Sequence, residues 1–403
     1  MKFLRNRWLV VVGALIIQIC LGAIYSWSVF VSPLKDVFSY STTQTQIVFS
    51  LALATFALVM IFAGKLQDKM GPRIIATLGG IVLGTGYLLA SFTGGSFPLI
   101  ALTVGIIGGA GIGLAYVCPI AACVKWFPDK RGMVTGLAVA GFGAGAWIFA
   151  KIAASFIETY GLLTSFMYLG FIFMVAVVMG AQLLRNPPAG WKPTGWNPPE
   201  FKSKTFSVED FEWRNMVKLQ QFWMLWIMFV FGAAGGLLVI GILQPYGVHS
   251  GLSAAAAANA VGVLALFNGA GRIIWGTVSD KIGRKHAMTL MFLLQGVMML
   301  AIIEMGSTEM TLSIAAAWVG FNFGGNLALF PSTTADFFGT KNVGINYGLM
   351  FTAYGVAGIA GPILAGSVFD MTGSYMWAFI PAGIACLIAA SISIGLKPPH
   401  HTK

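Results

Sequence analysis

What this chain has least of is charge. Only 9% of its 403 residues are Asp, Glu, Lys or Arg, where a water-soluble domain holds roughly 25%. Beside a hydrophobic share of 57%, that scarcity excludes an ordinary soluble globule and makes lipid the solvent for most of the chain. Acid is scarcer than base, with 13 Asp and Glu against 24 Lys and Arg. The net charge of +11 does not imply a nucleic-acid partner, because the bases lie in short loops between apolar runs and not on one polar face. There are four cysteines, Cys20, Cys118, Cys123 and Cys386, all inside apolar runs and without ligand spacing. They read as small buried apolar side chains, so no metal site and no cofactor is expected. No apolar run carries a His/Asp/Glu cluster or an activated Ser or Cys. No catalytic residue is therefore assigned, and an enzyme is not expected.

What is present is a succession of apolar runs. A spanning helix needs ~20 such residues. Twelve runs qualify: 8–33, 44–63, 74–92, 98–126, 132–157, 162–184, 221–246, 254–277, 287–305, 310–338, 344–368 and 375–396. The first follows a basic start and imitates a signal peptide, but it exceeds the ~7–15 residues of a signal core, so it is read as an uncleaved span. One long polar segment, Arg185 to Gln220, parts the sixth run from the seventh and carries Pro187, Pro188, Pro193, Pro198 and Pro199. It is expected to begin as an irregular linker, with a surface helix over Val208 to Lys218. The expected domains are 1–184, a six-helix bundle; 185–220, a linker; and 221–403, a second bundle.

The two halves repeat. Gly64-Lys65-Leu66-Gln67-Asp68-Lys69-Met70-Gly71-Pro72-Arg73 returns as Gly276-Thr277-Val278-Ser279-Asp280-Lys281-Ile282-Gly283-Arg284-Lys285, an offset of 212 residues. Pro119 and Pro331, Gly132 and Gly344, and Gly143 and Gly355 keep the same offset. A constant offset marks an internal repeat. All but three of the 24 lysines and arginines fall in segments that are cytoplasmic if the N-terminus is cytoplasmic; the exceptions are Lys35, Lys151 and Arg272. The positive-inside rule then places both termini and both motif copies in the cytoplasm. Two halves with the same orientation are parallel and related by an axis along the membrane normal.

The motif Gly-x-x-x-Asp-Lys-x-Gly-x-basic after the second and eighth runs, with twelve runs and a central linker, resembles the major facilitator superfamily of transporters. The resemblance implies an all-α membrane protein, twelve transmembrane helices in two parallel six-helix bundles. It also implies gating roles for Asp68, Asp280, Arg73 and Lys285, the aspartates capping helix ends or neutralising bases when the cytoplasmic side closes. Shorter strings narrow it: Ile24-Tyr25-Ser26-Trp27-Ser28-Val29-Phe30, Gly111 to Pro119, Trp126 to Gly132, and Asn268-Gly269-Ala270-Gly271-Arg272. These are similar to the monocarboxylate transporters, of the bacterial lactate–pyruvate type, and to the related oxalate/formate exchangers. The function implied is secondary transport of L-lactate, pyruvate or similar short acids, coupled to protons, through the plasma membrane. Anion exchange, such as oxalate against formate, is the alternative. The chain is expected to work as a monomer in the bilayer.

Arg272 is the sharpest single feature. An arginine inside a span marks a functional site by default. Eight residues before Asp280, it lies ~12 Å inside the cytoplasmic end. Its fork matches a carboxylate with two parallel hydrogen bonds, so a small carboxylate anion is its natural partner. The competing reading is an ion pair with another helix, for which Asp336 is the least poor candidate. Asn268, one turn away on the same face, can bond the substrate or another helix. In many eukaryotic relatives this place holds an aspartate linked to proton coupling, and a lysine stands near the position of Tyr25. Oxalate exchangers carry a lysine where this chain has Tyr354. One cation then suits a monocarboxylate. Tyr354 would bond its hydroxyl or carbonyl and Phe351 would cover its alkyl part, with Tyr25 and Tyr116 as further lining; each can equally be interhelical packing.

Asn322 and Asn326 read as interhelical bonds or cavity lining, and Lys151 as a snorkelling outer-edge base. The glycine strings at 105–113 and 132–145 read as tight helix packing. Pro119 and Pro331 are expected to bend their spans and to serve as gate hinges.

Overall fold

A computed structural model describes residues 7–127, 131–188, 193, 211–339 and 343–399, with the backbone alone at 68, 124, 131–133, 135–136, 335 and 343–344. Among the described residues there is no strand, and twelve helices are long and apolar enough to cross a bilayer. In chain order they are α1 (Arg7–Ser26), α2 (Thr42–Gln67), α3 (Pro72–Ala90), α4 (Phe97–Cys123), α5 (Leu137–Tyr160), α6 (Leu162–Leu183), α7 (Gln220–His249), α8 (Ala254–Ile282), α9 (Arg284–Glu304), α10 (Glu309–Phe338), α11 (Ile345–Thr372) and α12 (Met376–Ile394). Each corresponds to one apolar run. Their lipid-facing sides are apolar, with Phe62, Phe171, Val297 and Trp377 exposed, as hydrocarbon requires of a helical protein.

The repeat is visible in the backbone. Gly71 ends the second helix at φ 86°, ψ 158°, and Gly283 ends α8 at φ 85°, ψ 152°. Only glycine takes this conformation without strain. At the other ends, the Ser41 hydroxyl accepts from the Gln44 amide and the Ser253 hydroxyl from the Ala256 amide, each satisfying one orphan donor of a helix start.

Packing follows the repeat too. α1 lies against α4, α5 and α6, and α7 against α10, α11 and α12. α3 packs on α4 and α6 as α9 packs on α10 and α12, and α2 packs on α4 as α8 packs on α10. Between the halves, α2 meets α11 and α5 meets α8. Exchanging the halves turns one of these contacts into the other, so the seam itself has two-fold character.

Two spans are not the unbroken helices expected. The run 8–33 divides into a helix Arg7–Gly22, a 3-10 turn Ala23–Ser26 and a second helix Ser28–Phe38. The run 344–368 divides at Phe351, between Val343–Met350 and Thr352–Thr372. Hydropathy could not show either break, since the residues on both sides are equally apolar. The π-helical stretch Ala101–Gly108 in α4 was equally invisible. Pro119 and Pro331 lie within the continuous helices Gly109–Trp126 and Glu309–Phe338. Of the expected surface helix over Val208 to Lys218, the one turn Trp213–Met216 is found; 208–210 lie outside the described residues. The Phe211 amide donates to the Phe338 carbonyl, and Asn346 Nδ2 donates to the Phe211 carbonyl, tying the linker's end to α10 and α11.

Candidate functional site

Arg272 projects from α8 into the seam between the halves, and 3% of it is exposed. It is the only buried charged side chain among the described residues. Its Nε donates to Asn268 Oδ1 at 3.0 Å, one turn back on the same helix. Its Nη1 donates to the Val139 carbonyl of α5 at 2.9 Å, across the seam. Nη2 has no partner, and neither has Asn268 Nδ2. Among the described residues no carboxylate pairs with this guanidinium. Asp336 is engaged elsewhere, accepting from Arg284 Nε at 2.8 Å, which removes the ion-pair reading it was the candidate for. A buried donor left unsatisfied is costly, ~1–3 kcal/mol and more when charged. The two free donors lie on one helical face, suited to one acceptor with two oxygens.

Aromatic rings close the space beside them. Tyr25 stands in the 3-10 turn of α1, and its hydroxyl lies 2.5 Å from that of Tyr354 on α11. Tyr354 stacks on Phe351 with centroids 4.7 Å apart. Phe351 faces Tyr116 of α4 at 6.3 Å, and Tyr116 is close enough to Arg272 to interact with it electrostatically. The structure therefore brings Arg272, Asn268, Tyr25, Tyr116, Phe351 and Tyr354 into one buried cluster, drawn from four spans. Both helix breaks fall within it, at Tyr25 and at Phe351. Irregular backbone at membrane depth is tolerated only where protein or a cavity surrounds it.

Several members of the cluster were not picked out from the sequence. Phe142 of α5 packs edge-on against Tyr25 at 5.0 Å and Tyr116 at 5.4 Å, and its ring lies 5.7 Å from the Arg272 guanidinium carbon. Phe56 of α2 touches Tyr116 at 5.0 Å and Phe351 at 5.5 Å. Phe323 of α10 faces Tyr25 at 5.7 Å, and Tyr347 meets Phe351 at 5.7 Å. The one available signal was Phe142 between Gly141 and Gly143, and the glycines there read as packing alone. The Val139 carbonyl carries no sequence signal at all.

The expected gating residues sit apart from this cluster. The Asp280 carboxylate pairs with Arg284 at 2.8 Å, and Arg284 reaches on to Asp336 of α10. Ser279 also accepts from Arg284. Arg73 is exposed and Lys285 half-buried, and the Asp68 side chain lies outside the described residues. Asn322 Oδ1 accepts from Trp275 Nε1 of α8 at 3.2 Å, an interhelical bond, while Asn326 Oδ1 is buried without a partner. Lys151 lies on the surface with its ammonium 4.7 Å from the Trp147 ring, consistent with snorkelling.

The sequence profile of the Major Facilitator Superfamily matches residues 11–362 and 238–403. The chain is 32% identical over 400 residues to an oxalate:formate antiporter of Oxalobacter formigenes, covering 98% of this chain and 92% of that one. It is 32% identical over 360 residues to an uncharacterized MFS-type transporter of Escherichia coli, covering 89% and 87%. It is 25% identical over 413 residues to monocarboxylate transporter 12 of Rattus norvegicus, covering 96% and 84%.

Proposed function

The chain belongs to the Major Facilitator Superfamily, and on that footing we propose that it is a secondary transporter of short-chain monocarboxylates such as L-lactate and pyruvate, coupled to protons. One observation carries this reading: the buried guanidinium of Arg272 has an unpartnered Nη2 beside the unpartnered Nδ2 of Asn268. A carboxylate supplies two acceptor oxygens to those donors and neutralises the charge, which no described side chain does. Phe351 and Phe142 cover an alkyl part too short to need more room, and the Tyr25 and Tyr354 hydroxyls bond a hydroxyl or carbonyl on the next carbon.

The transport cycle is alternating access. The bundles 1–184 and 221–403, joined by the linker 185–220, rock about the central site. An anion on Arg272 lowers the penalty of sealing that charge from water, so closure is favoured when the site is filled. The described cluster holds no carboxylate or imidazole of its own to carry the proton. Asp68, Asp280, Arg73 and Lys285 act at the cytoplasmic gate, and Pro119 and Pro331 at its hinges. The distribution of lysine and arginine supports insertion in the plasma membrane with both termini cytoplasmic. Function as a monomer is part of the same proposal.

The test is uptake of labelled lactate into proteoliposomes with and without an imposed pH gradient, competed by pyruvate, oxalate and formate. Lactate uptake driven by an inward proton gradient and competed by pyruvate is the expected result. Uptake that ignores both the gradient and pyruvate overturns it. A second reading is anion exchange, favoured by the similarity to the oxalate:formate antiporter. It predicts counterflow of oxalate against formate with no dependence on the gradient.

A further inference from the structure

At the end of the molecule opposite the two repeated motifs, one carboxylate reaches from one half to the other. Asp370, near the end of α11, accepts from the Thr42 amide at 3.1 Å, the Thr43 amide at 2.7 Å and Thr43 Oγ1 at 2.5 Å. These amides open α2. They have no partner within their own helix, and they carry the positive end of its dipole. Lys35 stands beside them, its Nζ donating to Thr42 Oγ1 at 2.9 Å and lying 4.8 Å from the Phe369 ring. The repeat places Glu158 of α5 where Asp370 stands in α11. Glu158 is exposed, and among the described residues it makes no matching bond to α8. The carboxylate cap thus occurs at one of the two equivalent contacts of the seam.

Beneath the cap, α2 carries a buried polar stripe: Thr42, Thr45, Gln46 and Ser50, which share one helical face. Gln46 Nε2 donates to the Gly241 carbonyl of α7 at 3.2 Å. Gly366 of α11 sits so close that a Cβ there would lie 2.9 Å from the Thr43 Cα. Further down, Leu53 of α2 lies against Gly358, and Phe56 reaches Tyr354 at 6.1 Å. The face of α2 that carries the stripe therefore continues, through Leu53 and Phe56, from the cap to the central cluster along the contact between the halves. Yet Gln46 Oε1, Ser50 Oγ, Ser28 Oγ and Gln244 Oε1, all buried, have no partner. Buried polar groups are normally satisfied, and these four lie on the helix Ser28–Phe38, on α2 and on α7 at this end of the molecule. They are accounted for if the seam opens and water or a polar solute meets them.

We propose that this stripe lines a path from that end of the molecule to the central cluster, closed here, and that the contact of Asp370 with Thr42 and Thr43 is the latch holding it closed. The inference rests on alternating access but not on the identity of the transported acid.

Its test is thiol accessibility. Ser50→Cys is introduced into the full chain, which is reconstituted in lipid nanodiscs and treated with a charged, water-soluble methanethiosulfonate. The unaltered chain, with its four buried cysteines, supplies the background. Labelling of Ser50→Cys is expected to be slow, to speed up by at least about tenfold when Asp370→Ala is added, and to stay unchanged when Glu158→Ala is added instead. Asp370→Asn, which keeps one acceptor oxygen, falls between. Where thermal unfolding shows Asp370→Ala to be misfolded, Thr43→Val, which removes one of the three bonds, is judged on the same direction at about two- to threefold. Equal labelling with the latch intact and cut overturns the latch; rapid labelling with the latch intact overturns the closed path. No acid is added, so the result stands or falls separately from carboxylate binding at Arg272, which uptake by an Arg272 variant decides.

Discussion

The phenolic oxygens of Tyr25 and Tyr354 lie 2.5 Å apart. One belongs to α1 and the other to α11, so this hydrogen bond joins the two halves within the buried cluster. Each tyrosine stands at or beside a break in its span. The bond is thus made by short helical pieces set by their own packing. It gives each hydroxyl a partner.

Removing either hydroxyl should cost the same bond once. Tyr25→Phe and Tyr354→Phe are each expected to lower stability by about 0.5–1.5 kcal/mol. The double substitution should cost little more than either alone, because the pair shares one interaction. A double-mutant cycle on thermal unfolding of the purified protein checks this; additive losses would show that the hydroxyls do not bond each other.

Arg272 supplies both the charge and the fork. Arg272→Gln is expected to raise the KM for lactate by about 100-fold, the scale of ~3 kcal/mol for a lost charged hydrogen-bond pair. Arg272→Lys keeps the charge but not the two parallel donors, and should fall about tenfold short of the unaltered chain. Initial uptake rates in proteoliposomes measure both, with the inserted amount normalised. Normal uptake by Arg272→Gln would remove this residue from the binding site.

Asn268 already accepts from Arg272 Nε at 3.0 Å. Asn268→Asp places a carboxylate at that contact, where it competes with the substrate for the guanidinium. At neutral pH the KM is expected to rise about tenfold. As pH falls and the new carboxylate takes up a proton, its competition ends and the KM returns toward that of the unaltered chain. A pH series of uptake by both chains carries the test; a deficit that does not shrink with acidity contradicts it.

Glycine spacing makes a graded prediction. A Cβ on Gly22 would lie 1.8 Å from the Phe142 carbonyl oxygen, whereas one on Gly64 meets nothing within 4 Å. Gly22→Ala must push α1 off α5 and should destabilise by about 1–3 kcal/mol. Gly64→Ala, in an open helical position, should stabilise by roughly 0.5–1 kcal/mol. Thermal unfolding midpoints are expected to move in opposite directions; equal shifts would mean that the contact of α1 with α5 yields without penalty.

Much of the site was legible because its chemistry is local. Arg272 and Asn268 stand one turn apart, and that spacing alone puts them on one face of α8. The isolation of Arg272 was legible as well, because the sequence offers so few acids. Phe142 was not, because it lies among glycines that only imply close packing. Its contacts with Tyr25, Tyr116 and Arg272 depend on how α5 crosses α1, α4 and α8. Asp336 looked like a possible partner for Arg272 on grounds of span position. Its side chain instead meets Arg284, because α9 begins beside the end of α10.

Composition, run length and repetition alone determined twelve spans in two related halves, since each is a property of residues near one another in the chain and of their transfer from water. They also determined that one guanidinium would be buried without an acid to answer it. Tertiary structure alone decided that Tyr25 meets a residue 329 positions away, that α1 and α11 break where the cluster forms, and that Asp370 caps a helix of the other half. Those outcomes depend on how two apolar surfaces fit, and apolar residues of similar hydropathy carry little record of which neighbour they will touch.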